Sequence, residues 1–281
     1  MYENISLSEV PQSEELSGHQ RVAASASASF KHSGGKTRLD RLYQQGSAKI
    51  RFPRTHAAGL EAVLVNTAGG LTGGDRLTWE LEVGENGHAT ASTQACEKAY
   101  RSPGDMAHLN TRIDIGNKAS LHWLPQETIL YDGSSLGRTL EVSMAENASL
   151  LAVESIVLGR IAMGEKTVSC HFRDRWRIRK GNRLVFADDL NLHGREMSLA
   201  GMNGCNAVAT LLFISGQDAD QAEHAARKLR QICPLDTAGF SAVEDRITGR
   251  IIAGDSYRLR QALIPVIEHL RGTCMPRVWG I

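Results

Sequence analysis

Ser135 carries the most explicit catalytic spelling in the chain. Gly133-Ser134-Ser135-Leu136-Gly137 fits GxSxG, the nucleophile elbow, and Asp188 and His193 could complete a proton-relay set on paper. The chemistry would be acyl transfer. An elbow needs a strand, a sharp turn and then a helix, because that geometry lifts the hydroxyl clear of the backbone. The residues that follow, RTLEVSM, alternate like a strand. A serine hydrolase using Ser135 therefore stands only as an alternative reading. HSGGKT at 32–37 is similar to the tail of a P-loop. That motif requires a glycine five positions before its second glycine, and Phe30 occupies the place. No NKxD follows, since Asn117-Lys118 continues as Ala-Ser. Nucleotide hydrolysis is set aside on these grounds.

NTAGGLTGGD at 66–75 places Gly69, Gly70, Gly73 and Gly74 within six positions. Glycine permits positive φ and very close backbone approach. A phosphate cradle would use the N-terminus of a following helix. RLTWELEV follows instead and reads as a strand, so a structural turn is favoured. QACEK at 94–98 begins like a caspase signature but lacks its glycine. Cys96 reads first as a small strand residue and second as a soft metal ligand. The ten histidines are dispersed, and neither HExxH nor CxxC occurs. A tight, fixed metal centre is not expected. Weak transfer sites built on single carboxylates remain open, against the alternative that each acid is solvated or salt-bridged.

Whatever chemistry exists must be positioned by β structure. Leu77/Trp79/Leu81/Val83, Leu109/Thr111/Ile113/Ile115 and Leu140/Val142/Met144 alternate with polar residues, the period of half-buried strands. AASASASF at 23–30 reads as a first strand or a low-complexity linker, the strand being preferred. Two short strands flank Gly181-Asn182, a hairpin signal. VGENGHATASTQ at 83–94, IGNKASLHWLPQ at 115–126 and MAENASLLAVES at 144–155 are alike at offsets of 32 and 29 residues. Such a period suggests stacked coils, or else chance likeness of strand–turn–strand units. After residue 200 the pattern changes. Ala207–Ile214 reads as a strand, Asp218–Ile232 as a helix and Phe240–Ile252 as two strands with a turn near Gly249. A helix capped at Asp255 or Ser256 runs to about Leu270, with Pro265 expected to kink or interrupt it.

The expected fold is mainly β, in stacked β-helix-like layers of short strands with a C-terminal α+β portion. Its parts are a mobile extension at 1–22, a β-rich scaffold at 23–200 and an α+β portion at 201–281 packed on it. Lysine plus arginine total 32 against 31 aspartate plus glutamate, which excludes the basic footprint of a nucleic-acid binder. Five cysteines, odd in number and widely spaced, fit a reducing compartment better than a disulfide framework. The longest uncharged apolar run, Cys205 to Ser215, is far short of the ~20 residues of a membrane span. No leader is read in the acidic, polar start. The expectation is a cytoplasmic protein, not bound to membranes.

Several segments in order carry a family resemblance: NTAGGLTGGD at 66–75, TQACEKAYRS at 93–102, LPQETILYDG at 124–133, ESIVLGRIAMGE at 154–165, DRWRIRKGNRLVFAD at 174–188 and PRVWGI at 276–281. Over about 36–281 the chain resembles the urease accessory protein UreD family, called UreH in some bacteria. It departs from the family pattern at Cys96. The resemblance implies a stacked-β scaffold without catalysis of its own. The implied partners are UreF, the GTPase UreG through UreF, and apo-urease. It also implies transient Ni²⁺ in transit through an internal channel, with no cofactor held tightly. Within the matching segments Asp75, Glu127, Glu154 and Glu165 are the candidate metal residues, since a buried dication needs carboxylates. Lys98, Arg101 and Arg160 are the bases expected to balance those acids. A generic β interaction module without a metal role is the remaining alternative.

Overall fold

Alternating apolar residues that must find a covered face build most of this molecule. A computed structural model describes residues 21–54, 59–160, 164–165, 169–194, 202, 204–216 and 218–280. Residues 1–20, most of the expected N-terminal extension, lie outside that set. The chain opens with β1 (Ala23–Ser33), β2 (Lys36–Gln45), β3 (Ala48–Arg51) and β4 (Leu60–Asn66). Three coils follow. The first holds β5 (Arg76–Val83), β6 (His88–Thr93) and β7 (Glu97–Ala99). The second holds β8 (Ala107–Ile115), β9 (Ser120–Trp123) and β10 (Thr128–Leu130), and the third β11 (Ser135–Met144) and β12 (Ser149–Leu158). β13 (Cys170–Lys180) and β14 (Arg183–Gly194) form the hairpin expected at Gly181-Asn182, with long strands instead of short ones. HSGGKT is the β1–β2 hairpin turn, with Gly34 and Gly35 at positive φ.

The repeat is a structural one. Val83 lies beside Ile115 and Ile115 beside Met144, all in parallel register. His88, Ser120 and Ser149 stack the same way in the second sheet. The coil tips also stack: Asn86 N–H donates to Asn117 O (2.9 Å), and Lys118 N–H to Asn147 Oδ1 (3.0 Å). The result is a β-solenoid of about four turns. One sheet runs β14-β13-β11-β8-β5-β1-β2.

The other sheet contains β3, β4, β6, β9 and β12, and continues through β15 (Ala207–Ile214), β17 (Arg246–Ala253) and β16 (Ala238–Val243). This second sheet is covered on both sides. Leu150, Ala152 and Ile156 of β12 face the space between the sheets, while Leu151, Val153 and Val157 face the helices. Burial on both faces is why β12 is apolar at consecutive positions, Leu150–Val153 and Ile156–Leu158.

α1 (Ala219–Ile232) starts in a capping box of Asp218 and Gln221, and buries Ala222, Ala226 and Leu229. α2 (Ser256–Arg271) is N-capped by Asp255 and ends at Gly272, φ 64°. One expectation is narrowed here and one fails. α2 runs unbroken through Pro265, held by the buried face of Leu259, Leu263, Val266 and Ile267. The β16–β17 turn falls at Glu244-Asp245, where Glu244 itself takes φ 54°. Gly249 lies inside β17, where an added Cβ would stand 2.8 Å from the Phe240 ring. Its glycine serves close packing, not a turn. Among the described residues no helix is long and apolar enough to cross a membrane.

Candidate functional site

Strand parity decides where each candidate acid points, and it sends the four in different directions. Asp75 closes the glycine-rich loop just before β5 and is 2% exposed. Its Oδ1 accepts from Val22 N–H (2.8 Å) and its Oδ2 from Thr72 N–H (2.8 Å). Both oxygens are therefore engaged in fastening the loop to the start of β1. The glycines serve the same joint. A Cβ on Gly70 would strike the Tyr100 ring and approach Lys98 O to 2.7 Å, and one on Gly73 would strike Ser102 and the Asp105 carbonyl. The loop leads into a strand, as expected for a structural turn.

Glu154 shares the parity of Ala152 and Ile156, so it points between the sheets. Trp123 Nε1–H donates to its Oε1 (2.9 Å). Arg138 of β11 lies against it, Nε to Oε2 3.1 Å. The Arg138 N–H groups are aimed elsewhere: Nε donates to Asp174 Oδ1 (3.0 Å), Nη2 to Asp174 Oδ2 (2.6 Å) and Nη1 to Thr128 Oγ1 (3.2 Å). Two carboxylates thus share one guanidinium in a buried space, one negative charge in excess. Burial pushes the Glu154 carboxyl above its usual range, and Asp174 adds to this against the pull of Arg138. Burial also disfavours the charged guanidinium, but Asp174 and Glu154 outweigh it and hold the Arg138 proton more firmly than usual. The sequence reading missed Arg138 and Asp174. Their signal was parity: Arg138 sits between inward Leu136 and Leu140, Asp174 between inward Phe172 and Trp176.

Glu127 has the opposite parity and faces the helices. In register Thr128 lies beside Glu97, which brings Glu127 to Cys96 one position earlier. Arg260 of α2 closes on it, Nε to Oε1 (2.6 Å) and Nη2 to Oε2 (2.7 Å), and also donates to Gln126 Oε1 (2.6 Å). The Cys96 thiol donates to Glu127 Oε2 (3.3 Å). Burial, with Glu127 beside it, raises the thiol to about 11. Cys96 lies just ahead of β7, not within a strand, because β6 and β7 are interrupted there. That break has space on both sides. A cavity of ≈160 Å³ reaches inward to Leu64, Asn66 and Trp79, and one of ≈470 Å³ opens toward Gln126, Glu127 and Arg260. Both touch Gln94, Ala95, Cys96 and Lys98. Glu97, held by Asn66 Nδ2 at 3.1 and 3.3 Å, is raised to about 7 by burial.

Glu165 sits at the coil edge where β12 gives way to β13. Arg160 binds it through backbone N–H to Oε2 (2.9 Å) and Nε to Oε1 (3.1 Å). Those hydrogen bonds lower its carboxyl below the usual range. Arg160 also lies over the Tyr131 ring at 4.4 Å, and Tyr131 packs edge-on against Tyr100 at 5.2 Å. Of the three expected counter-charges, Arg160 pairs with Glu165, Arg101 pairs with Asp132, and Lys98 lines the two cavities. Arg260, unforeseen, serves Glu127. Among the described residues no three His, Cys, Asp or Glu side chains form a metal-holding group.

The hydrolase set does not assemble. Ser135 opens β11 with no helix behind it, and the row across the sheet runs Ser135, His171, His193. His171 intervenes, packed edge-on against His193 at 4.9 Å. Asp188, five positions from His193 on the same strand, takes the other face and accepts from Arg250 Nη2 (2.8 Å).

Comparison with known proteins adds a separate line. A family model described as UreD urease accessory protein matches residues 22–280. The chain is 47% identical over 261 residues to a protein of Sinorhizobium medicae (strain WSM419), covering 89% of this chain and 93% of that one. It is 44% identical over 266 residues to one of Chelativorans sp. (strain BNC1), covering 93% and 95%. Against one of Rhizobium leguminosarum bv. viciae it is 42% identical over 267 residues, covering 93% and 96%. All three relatives are named urease accessory protein UreD.

Proposed function

The chain belongs to the UreD family of urease accessory proteins, and from that premise we propose that it is a non-catalytic, cytoplasmic scaffold that passes nickel toward apo-urease. The observation that carries the reading is the extent of the match, 22–280, which takes in every described coil and helix. The match is then to the whole scaffold, not to a local catalytic motif. Its partners in this reading are UreF, UreG through UreF, and apo-urease. Nickel is cargo and not a resident cofactor.

The break between β6 and β7 supports an internal route. Space lies on both faces of one sheet there, and Glu127 and Cys96 border it. Ni²⁺ accepts oxygen and nitrogen donors, and a transfer site needs few of them. Glu127 could offer its carboxylate only as Arg260 withdraws. Glu154 adds a second buried carboxylate beside an uncompensated charge, and Glu165 a third near the coil edge. Asp75 fits a relay least well, because backbone N–H groups hold both its oxygens.

The test is reconstitution with the urease structural proteins, UreF and UreG, reading assembly and urease nickel content together. The scaffold reading expects nickel loading to need this chain. Full loading without it overturns the reading. Glu127→Gln, Glu154→Gln and Glu165→Gln should each assemble yet load less nickel. Normal assembly with normal loading in all three, and in Asp75→Asn, sinks the relay.

A further inference from the structure

The outer face of β13 carries Arg173, Arg175, Arg177 and Arg179 at alternate positions, while Phe172, Asp174, Trp176 and Ile178 turn inward. At about 3.4 Å per residue the column is roughly 20 Å long. Neighbouring guanidinium-bearing positions about 7 Å apart repel by about 0.5 kcal/mol each in water, before salt screening. Within the fold only Arg177 is answered, by Asp189 at 2.5 Å. Among the described residues Arg173, Arg175 and Arg179 have no carboxylate within ion-pair reach. The same sheet behaves differently across β11, β8, β5 and β2. There Arg41 pairs with Glu82 (3.0 Å), and Arg112 reaches Glu80 (3.5 Å) and Glu141 (3.8 Å). One part of the face pairs its charges, and the other sets four arginines against two flanking acids, Glu141 and Asp189.

At the foot of the column the surface turns apolar. Leu184, 44% exposed, lies opposite Arg179. β13 is paired on both edges, so recognition here must use side chains, not strand addition.

We propose that this column is a docking surface for an acidic protein segment, one that presents a row of carboxylates ending in an apolar side chain. The proposal goes beyond the urease reading and does not rest on it. A nucleic acid fits less well. Glu141 and Asp189 flank the column on either side and limit either kind of anion alike, but a phosphate backbone has no use for the exposed Leu184. A protein partner answers both features: its carboxylates relieve the repulsion, and an apolar residue covers the exposed foot.

The experiment uses the full chain and a fluorescent extended peptide of about seven residues, with glutamate at every second position and a C-terminal leucine. The triple reversal Arg173→Glu/Arg175→Glu/Arg179→Glu should weaken binding about tenfold or more at low salt. The triple Arg→Lys variant should stay within about threefold of the parent, since the charge persists. Lys36→Glu/Arg38→Glu/Lys228→Glu changes net charge equally at other exposed positions and should also stay within about threefold. Binding should fall as salt rises. If the reversed column melts early, Arg→Gln at the same three positions replaces it, with a smaller loss expected. Equal weakening by the column and control reversals overturns the proposal, as does failure of the parent to bind. Tighter binding of a short DNA duplex than of the peptide assigns the column to nucleic acid and also overturns it.

Discussion

Two buried carboxyl environments differ in a way that mutation can read. The Arg138 group holds two acids and one base, so its members are not equivalent. Glu154→Gln removes the excess negative charge and leaves the doubly bonded Arg138–Asp174 pair whole. It should change stability by less than about 1 kcal/mol, because desolvation relief offsets the lost attraction. Asp174→Asn breaks the pair and should cost about 3–5 kcal/mol. Arg138→Gln leaves two buried carboxylates facing each other and should be the worst of the three. Denaturant titration of the set checks the order, and equal losses would contradict the excess-charge account. Glu97 predicts a pH effect instead. Its folded value, about 7, lies above the usual 4.5, so the folded state holds the extra proton between those values. The stability it contributes is complete below about pH 4.5 and is lost as pH rises through 7. Glu97→Gln should therefore raise stability at pH 8 by about 1–3 kcal/mol and do little at pH 5. Melting at the two pH values decides it. None of these partnerships was local in the sequence. Arg138 and Asp174 are 36 positions apart and Glu127 and Arg260 are 133 apart. Carboxylates could be nominated from the matching segments, but their counter-charges depend on which strands stack and which face each residue takes.

Coils, turns and helices were far more legible, because their determinants are periodic. Apolar alternation placed β5, β8 and β11, and the likeness of three tip segments at offsets of 32 and 29 residues marked parallel stacking. Asp218 and Asp255 announced the starts of α1 and α2. What escaped was the use of glycine and proline. Gly249 was taken for a turn because glycine usually marks one, whereas here it makes room for Phe240. Proline can kink or interrupt a helix; α2 is not interrupted at Pro265, because a well-buried face outweighs one lost backbone bond. The glycine-rich loop gives the element-scale test. An alanine at Gly73 must displace the Asp105 backbone as well as Ser102, so Gly73→Ala should destabilise by about 2–3 kcal/mol. Gly69 has open space but φ 79°, so Gly69→Ala should cost only about 1 kcal/mol of backbone strain. Thermal melts of the two variants compare the causes directly: equal losses would mean that the crowding at Gly73 costs no more than the backbone strain at Gly69.

At the scale of the whole molecule, the question is whether the C-terminal α+β portion is an attachment or a structural half. The sequence pattern changes near residue 200, where an α+β portion packed on the β-rich scaffold is expected to begin. In the structure β15 pairs with β12 over eight residues, Leu150↔Ile214 to Val157↔Ala207, and so continues the scaffold's own sheet. α1 and α2 then cover the outer side of that sheet, burying Leu151, Val153 and Val157 of β12. The last residues return as well: Trp279 Nε1–H donates to Leu124 O (3.0 Å), and Gln126 Nε2–H to Val278 O (2.9 Å). A chain cut after residue 200 would leave β12 as a bare edge and expose its apolar outer face, a template for aggregation. The 21–200 fragment should therefore be insoluble or form large aggregates, while the intact chain should unfold in one cooperative transition, because one sheet is shared by both cores. Calorimetry of the intact protein and light scattering of the fragment provide the check. Two resolved calorimetric transitions with a soluble, melting 21–200 fragment would mean that the scaffold is complete without its C-terminal third, and that the shared sheet does not couple the halves.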